Sequence, residues 1–197
     1  MKLKRDIDFL YEVGCLRHVQ RTWKQFLNPD FANLSEHILR VTWIALVIAQ
    51  YEGVKDTGRL VKMAMVHDLA ESRGVDVHYV SRQFADRHEE AALKDTLAGT
   101  ALETEFLELA NEYEERKSLT AQIVKDADNL DVDLELKEQT ARGFLIEKKL
   151  ATMRQHVGKT KLYTKTAQKM WTAIQKSDPH DWHWLSVNRF NSGDWKK

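Results

Sequence analysis

Only 2 prolines and 8 glycines punctuate the 197 residues, and this shortage of helix breakers most constrains what the chain can form. Proline removes a backbone donor and glycine pays a large entropy cost inside a helix, so segments without them extend as helices wherever an apolar face can be buried. Along most long segments the apolar residues recur at three- and four-residue spacing, which gathers them on one helical face. The sequence therefore predicts an all-α chain of helices joined by short loops, with no internal repeat and no low-complexity linker.

Asn33-Leu34-Ser35-Glu36 reads as a helix start, with Asn33 as the cap and Glu36 reaching back from the third helical position. A buried helix follows to about Tyr51, and Gly53 ends the pattern. Thr57 to Ser72 resumes it through Leu60, Val61, Ala64, Met65 and Leu69, until Arg73-Gly74 closes it. Further helices are predicted over Asp86 to Leu97, Leu102 to Arg116, Leu119 to about Gly143 and Thr164 to Lys176. Residues 1–177 are read as one domain. The tail 178–197 carries Trp182, Trp184, Phe190 and Trp195, too aromatic for a disordered end, and is expected to pack on that domain.

Charge and cysteine usage exclude several classes of function. Lys+Arg 30 balances Asp+Glu 30, so no net positive field is available to hold duplex nucleic acid. A lone Cys15 cannot build an intrachain disulfide framework, and the opening MKLKRDIDFLYEVG lacks the apolar run of a secretory signal. No segment approaches the roughly 18 to 20 apolar residues of a membrane span. These features point to a cytoplasmic protein.

Chemistry is concentrated where polar groups interrupt apolar helices. His67, Asp68 and Glu71 follow the run Met63-Ala64-Met65-Val66, and a carboxylate set into such a face stays protonated unless a counter-charge offsets its desolvation. Imidazole and carboxylate together suit a divalent transition metal. Glu71 lies one turn after His67 and shares its face, where a general acid or base belongs. His37, set against the apolar stretch Val41 to Ala49, is a third candidate ligand. A single such histidine is more often a packed core residue, so the metal reading rests on the constellation. A fourth ligand lies among Asp126, Asp128 and Asp131, between which periodicity does not choose. The less periodic stretch Gly74 to Arg87, with Asp76 and His78, is read as a loop over this site. His78 and His88 invite a two-metal reading, and His180 and His183 read as surface residues.

Ser35-Glu36-His37, Val66-His67-Asp68-Leu69-Ala70-Glu71 and Lys125-Asp126-Ala127-Asp128-Asn129-Leu130 together resemble the HD-domain phosphohydrolase superfamily, over roughly Leu16 to Ala141. The closest likeness is to the YfbR-like and HD-domain-containing 5'-deoxynucleotidases. That resemblance implies a compact helical bundle with a metal site between core helices, and one divalent ion (Co, Mn, Mg, Fe, Ni or Zn) held by His37, His67, Asp68 and Asp128. It assigns catalysis to Glu71 and Asp76. Leu16-Arg17-His18-Val19-Gln20-Arg21-Thr22-Trp23 is similar to a segment whose arginine contacts substrate phosphate and whose tryptophan lines the nucleotide pocket, so Arg21 and Trp23 take those roles. The sequence departs from the family at Gly74-Val75-Asp76, where the family usually has Gly-Asp, and between Thr22 and Trp23, where many relatives carry a glycine.

The activity so implied is hydrolysis of a phosphomonoester, with a nucleoside 5'-monophosphate as the small-molecule substrate and a homodimer as the assembly. The alternatives are an HD-type phosphodiesterase or alarmone hydrolase, and a silent metal- or nucleotide-binding domain that has lost turnover. The presence of Glu71, Asp76 and Arg21 weighs against the silent reading.

Overall fold

A computed structural model describes residues 2–26 and 30–185. These form α1 (Lys2–Cys15), α2 (Leu34–Glu52), α3 (Thr57–Val66), α4 (Glu71–Gly74), α5 (Glu89–Leu97), α6 (Glu103–Glu115), α7 (Leu119–Ala141), α8 (Ile146–Thr160), α9 (Lys165–Lys176) and α10 (Asp181–Trp184). An isolated antiparallel bridge joins Gln20 to Asn33 and brings the segment before α2 against that helix's start.

The centre is the pair α2 and α7, with α3, α6 and α9 packed around it. Leu34, Val41, Ala45 and Ile48 of α2 join Ile123, Val124, Ala127 and Leu130 of α7 in one buried core. The expected cap of α2 is present in both halves. Asn33 Oδ1 accepts the Glu36 N–H at 3.1 Å, and Glu36 Oε2 accepts the Asn33 N–H at 2.8 Å. This rigid start matters because His37 follows it directly. Gly53 closes α2 with φ 72°, a left-handed conformation that glycine takes without steric cost. Ser118 and Thr164 cap α7 and α9 in the same way as Asn33 caps α2, by accepting a backbone N–H three residues on.

The helix expected over Thr57 to Ser72 is not continuous. Regular α-helix stops at Val66, and the N–H groups of Leu69, Glu71 and Ser72 donate to Val66, Asp68 and Leu69, three residues back. The turn is tightened where the chain carries His67-Asp68, which rotates these groups relative to an ideal helix. Three helices, α1, α8 and the short α10, have no counterpart among the helices expected from the sequence. The docking of α8 depends on a polar group that hydropathy does not score: buried Arg154 forks onto both Asp133 oxygens at 3.1 and 2.6 Å. Gly158 lets α8 lie close on α9, since a Cβ there would stand 2.3 Å from the Trp171 ring.

Between α4 and α5 the chain is irregular apart from one short turn, as expected of a loop there. Of the tail, Trp182 and Trp184 are 82% and 63% exposed, while Phe190 and Trp195 lie outside the described residues. Among the described residues no helix is long and apolar enough to cross a membrane.

Candidate metal centre

Three elements carry the expected ligands: α2 brings His37, the tightened turn after α3 brings His67 and Asp68, and α7 brings Asp128. Ligand atoms of His37, His67 and Asp128 all lie within 4.8 Å of one another. Asp68 joins them, its Oδ2 standing 3.3 Å from His37 Nε2 and 3.4 Å from His67 Nε2. His37 Nε2 is also 3.4 Å from Asp128 Oδ1.

The orientation of the two imidazoles is set from behind. His67 Nδ1 donates to the Ala64 carbonyl at 2.7 Å, and His37 Nδ1 to Asp131 Oδ2 at 2.6 Å. In the neutral ring each such bond leaves Nε2 as the nitrogen with a free lone pair. Both Nε2 atoms are buried without a hydrogen-bond partner. Two orphaned imidazole nitrogens converging with two carboxylates fit a divalent ion, and an N₂O₂ donor set suits a first-row metal better than calcium.

Electrostatics follow from this crowding. Burial favours neutral His37, but Asp128, Asp131 and Asp68 outweigh it and hold the ring's pKa well above the usual imidazole value. Burial prevails at His67 and lowers it. At Asp128 burial is overcome by Lys125 and the two histidines, which keep the carboxyl ionised. At Asp68 the histidines do the same.

The three aspartates that periodicity left open have separate tasks. Asp128 faces the metal group. Asp131 stands behind His37 and accepts from Arg40 Nε with its other oxygen, while Arg40 also reaches Glu135 and Glu138. Asp126 points away, accepting the N–H groups of Tyr163 and Thr164 at 2.7 and 2.8 Å and so anchoring the entry to α9.

Arg21 is buried, and its Nη1 lies 3.2 Å from Asp68, 3.7 Å from Glu71 and 3.5 Å from Asp76. One guanidinium thus gathers the adjacent ligand and both expected catalytic carboxyls. Asp76 is held further by the Thr22 N–H at 2.9 Å. Glu71 Oε2 is buried without a hydrogen bond, and burial, then the charges of Asp68 and Asp76, push its pKa up to about 9. Trp23 stacks on Phe31 with ring centroids 6.0 Å apart, in a narrow cleft shared with Arg21. Val75, leading into Asp76, has φ 52°, an unusual conformation for a β-branched residue.

A separate open cavity of about 540 Å³ reaches His67, Asp68 and Glu71 from the other side, and neither Arg21 nor Trp23 lines it. Its lining carries charge of both signs, Arg82, Arg87, Arg116 and Lys125 among Glu89, Glu90 and Glu114. Lys125 Nζ bonds Asp128 Oδ2 at 2.7 Å, and the Arg116 guanidinium lies 3.4 Å over the Tyr113 ring, whose edge meets His67. Sequence reasoning passed over these groups. Lys125 was open to discovery, since a residue three before Asp128 shares its helical face. His78 bonds Ser81 and His88 is largely exposed; neither belongs to the group around His37. His180 and His183 lie together on the exposed α10 region.

Comparison with known proteins agrees with this geometry. The HD domain family matches residues 13–171, and the chain belongs to that family. A cattle (Bos taurus) protein named 5'-deoxynucleotidase HDDC2 is 34% identical over 140 residues, covering 67% of this chain and 66% of the relative. The chain thus spans about two thirds of that relative's length. A conserved hypothetical protein from Pyrococcus furiosus superposes with TM-score 0.69 at 25% identity, covering 87% of this chain and 99% of the other. The fold is shared too with a protein of Magnetospirillum magnetotacticum described as a predicted metal-dependent phosphohydrolase, with TM-score 0.62 and 20% identity over 89% and 94% of the two chains.

Proposed function

We propose that this HD-domain enzyme is a metal-dependent 5'-nucleotidase that hydrolyses nucleoside or deoxynucleoside 5'-monophosphates to nucleoside and inorganic phosphate. The observation that carries the reading is the pair of buried Nε2 atoms of His37 and His67, without hydrogen-bond partners and facing Asp68 and Asp128, beside an open cavity that Lys125 and Arg116 also line. The relative named 5'-deoxynucleotidase supports the choice of substrate class. A cytoplasmic setting belongs to the same reading, supported by a chain with one cysteine.

His37, His67, Asp68 and Asp128 would hold a divalent ion, which would supply Lewis-acid charge to the phosphate and lower the pKa of a water. The chain's own residues then divide the remaining work. Lys125, beside Asp128, offers positive charge to the phosphate from the cavity side, and Arg21 offers it from the Asp68 side. Glu71, whose pKa burial and its acidic neighbours raise and whose Oε2 has no hydrogen bond, protonates the leaving sugar oxygen. Asp76, fixed by Thr22 and Arg21, orients the attacking water. Trp23 covers a face of the nucleoside.

The test strips the protein of metal, reloads it with cobalt, manganese or magnesium, and measures phosphate release. Ribo- and deoxyribonucleoside 5'-monophosphates are compared with 3'-monophosphates and cyclic nucleotides. The expected result is metal-dependent release from the 5'-monophosphates, abolished by Asp68→Ala. Hydrolysis confined to cyclic nucleotides, or no metal binding and no turnover, overturns the proposal.

A further inference from the structure

The turn after α9 brings together two imidazoles that the centre around His37 does not use. The N–H groups of His183 and Trp184 both donate to the His180 carbonyl, at 3.2 and 2.8 Å, so the chain closes one helical turn here. His180 and His183, three residues apart, therefore share a face. His180 Nδ1 lies 3.1 Å from His183 Nε2, with the rings nearly perpendicular at 89°. Both residues are exposed, and at an exposed position water satisfies an imidazole as well as a neighbouring ring does. A hydrogen bond between them therefore gives no reason for the pairing.

The spacing is that of a chelate. An imidazole nitrogen binds zinc at about 2.0–2.1 Å, so two nitrogens 3.1 Å apart subtend an angle of about 95–102° at such an ion. That angle lies between the square-planar and tetrahedral arrangements that copper(II), nickel(II) and zinc(II) adopt. The arrangement is also held in advance. Pro179 fixes its own φ just ahead of His180. Asp178 Oδ1 accepts the His180 N–H at 2.8 Å, and the Asp178 carbonyl accepts the Asp181 N–H at 3.2 Å. On the far side the Trp182 ring meets His183 at 73°, with centroids 5.1 Å apart, and limits its rotation.

We propose that His180 and His183 form a second, surface metal site that takes a copper(II), nickel(II) or zinc(II) ion through His180 Nδ1 and His183 Nε2. Water completes the coordination, because among the described residues no group of three candidate ligands includes this pair. Magnesium, manganese and calcium prefer oxygen donors and are not held by two imidazoles alone. The centre at His37 differs in this respect, since it adds two carboxylates to its two imidazoles. A bound ion ties residues 180 and 183 together and so fixes the turn that carries α10.

Trp182 supplies the readout, because open-shell nickel(II) and copper(II) quench a neighbouring indole whereas closed-shell zinc(II) does not. Full-length protein stripped of metal is titrated with nickel(II), following tryptophan emission and, by equilibrium dialysis, the nickel bound. Wild type is compared with His180→Gln, His183→Gln, His156→Gln and Asp68→Ala, each checked for folding by circular dichroism. Nickel at the His37 centre is the common background of the histidine variants. Wild type should show saturable quenching that zinc(II) reverses and magnesium does not. His180→Gln and His183→Gln should each weaken this binding on the order of 100-fold, the gain that joining two weak ligands in one geometry supplies. His156→Gln, which removes an exposed histidine of α8, and Asp68→Ala should leave it intact. Absence of saturable quenching in the wild type overturns the proposal. So does quenching that needs only one of the two histidines, which is a lone imidazole, or quenching that disappears with Asp68→Ala, which belongs to the His37 centre.

Discussion

Asp131 is not one of the expected metal ligands, yet the way it holds His37 makes Asp131→Asn a sharp test of the centre. One carboxylate oxygen accepts from His37 Nδ1 at 2.6 Å and the other from Arg40 Nε. An asparagine has one acceptor and one donor in their place. With its oxygen toward His37 the amide NH₂ meets the Arg40 donor; flipped, it meets the histidine N–H. Either orientation loses a charge-assisted hydrogen bond worth about 1.5–3 kcal/mol and sets two donors against each other. The ring is then no longer held with Nε2 toward the other ligands. Loss of such a supporting contact weakens metal binding by about 10–100-fold, or roughly 1.4–2.7 kcal/mol. His67 is the internal reference, because its Nδ1 is held by the Ala64 backbone carbonyl, which substitution at Asp131 leaves in place. Calorimetric titration of cobalt or manganese into metal-stripped wild type and Asp131→Asn reads the effect directly, with thermal unfolding alongside. A variant that binds metal within twofold of wild type refutes the assignment of Asp131 as the residue that orients His37.

Three further outcomes are expected. In the metal-free protein His37 holds a proton well above the usual imidazole range, after its three carboxylate neighbours outweigh burial, so metal must displace that proton. Metal affinity therefore rises with pH and binding at neutral pH releases protons; binding enthalpies that do not vary with the buffer's ionisation enthalpy would contradict this. The same raised value stabilises the metal-free fold below the unfolded imidazole pKa and is lost as pH rises through the folded one. Val75→Gly relieves about 1–3 kcal/mol of backbone strain against about 0.5–1 kcal/mol of added chain entropy. The melting temperature should rise by roughly 2–4 °C per kcal/mol gained, and an unchanged or lower value counts against strain at this position. Gly158→Ala drives a methyl into the Trp171 ring and should cost about 1–3 kcal/mol, read as lowered thermal stability; a neutral result would mean that α8 and α9 separate freely.

The departure at Gly74-Val75-Asp76 shows how a sequence-level oddity gains physical content only in three dimensions. The sequence shows a glycine one place earlier than the family's usual Gly-Asp pair. In the structure it is Val75, not Gly74, that takes the positive φ leading into Asp76. Arg21 is a similar case. The resemblance assigns it to substrate phosphate, whereas the fold surrounds it with Asp68, Glu71 and Asp76, residues 47 to 55 positions further along the chain. Periodicity reports one element at a time and carries no record of such partners.

What the sequence determined by itself was local. The helical class follows from scarce proline and glycine, and the start of α2 from a capping pattern whose donors and acceptors are three residues apart. The candidate metal residues were visible as ionisable groups in apolar runs. What only the tertiary structure decided was the division of labour on α7. Asp128 and Asp131, three residues apart, lie about 60° from each other on a helix and share a face. Which of them meets the metal group and which braces His37 depends on where α2 crosses, and Asp126 turned out to serve a third element, the entry to α9. A carboxylate's role is set by the donor that packs against it, and that donor arrives from another part of the chain.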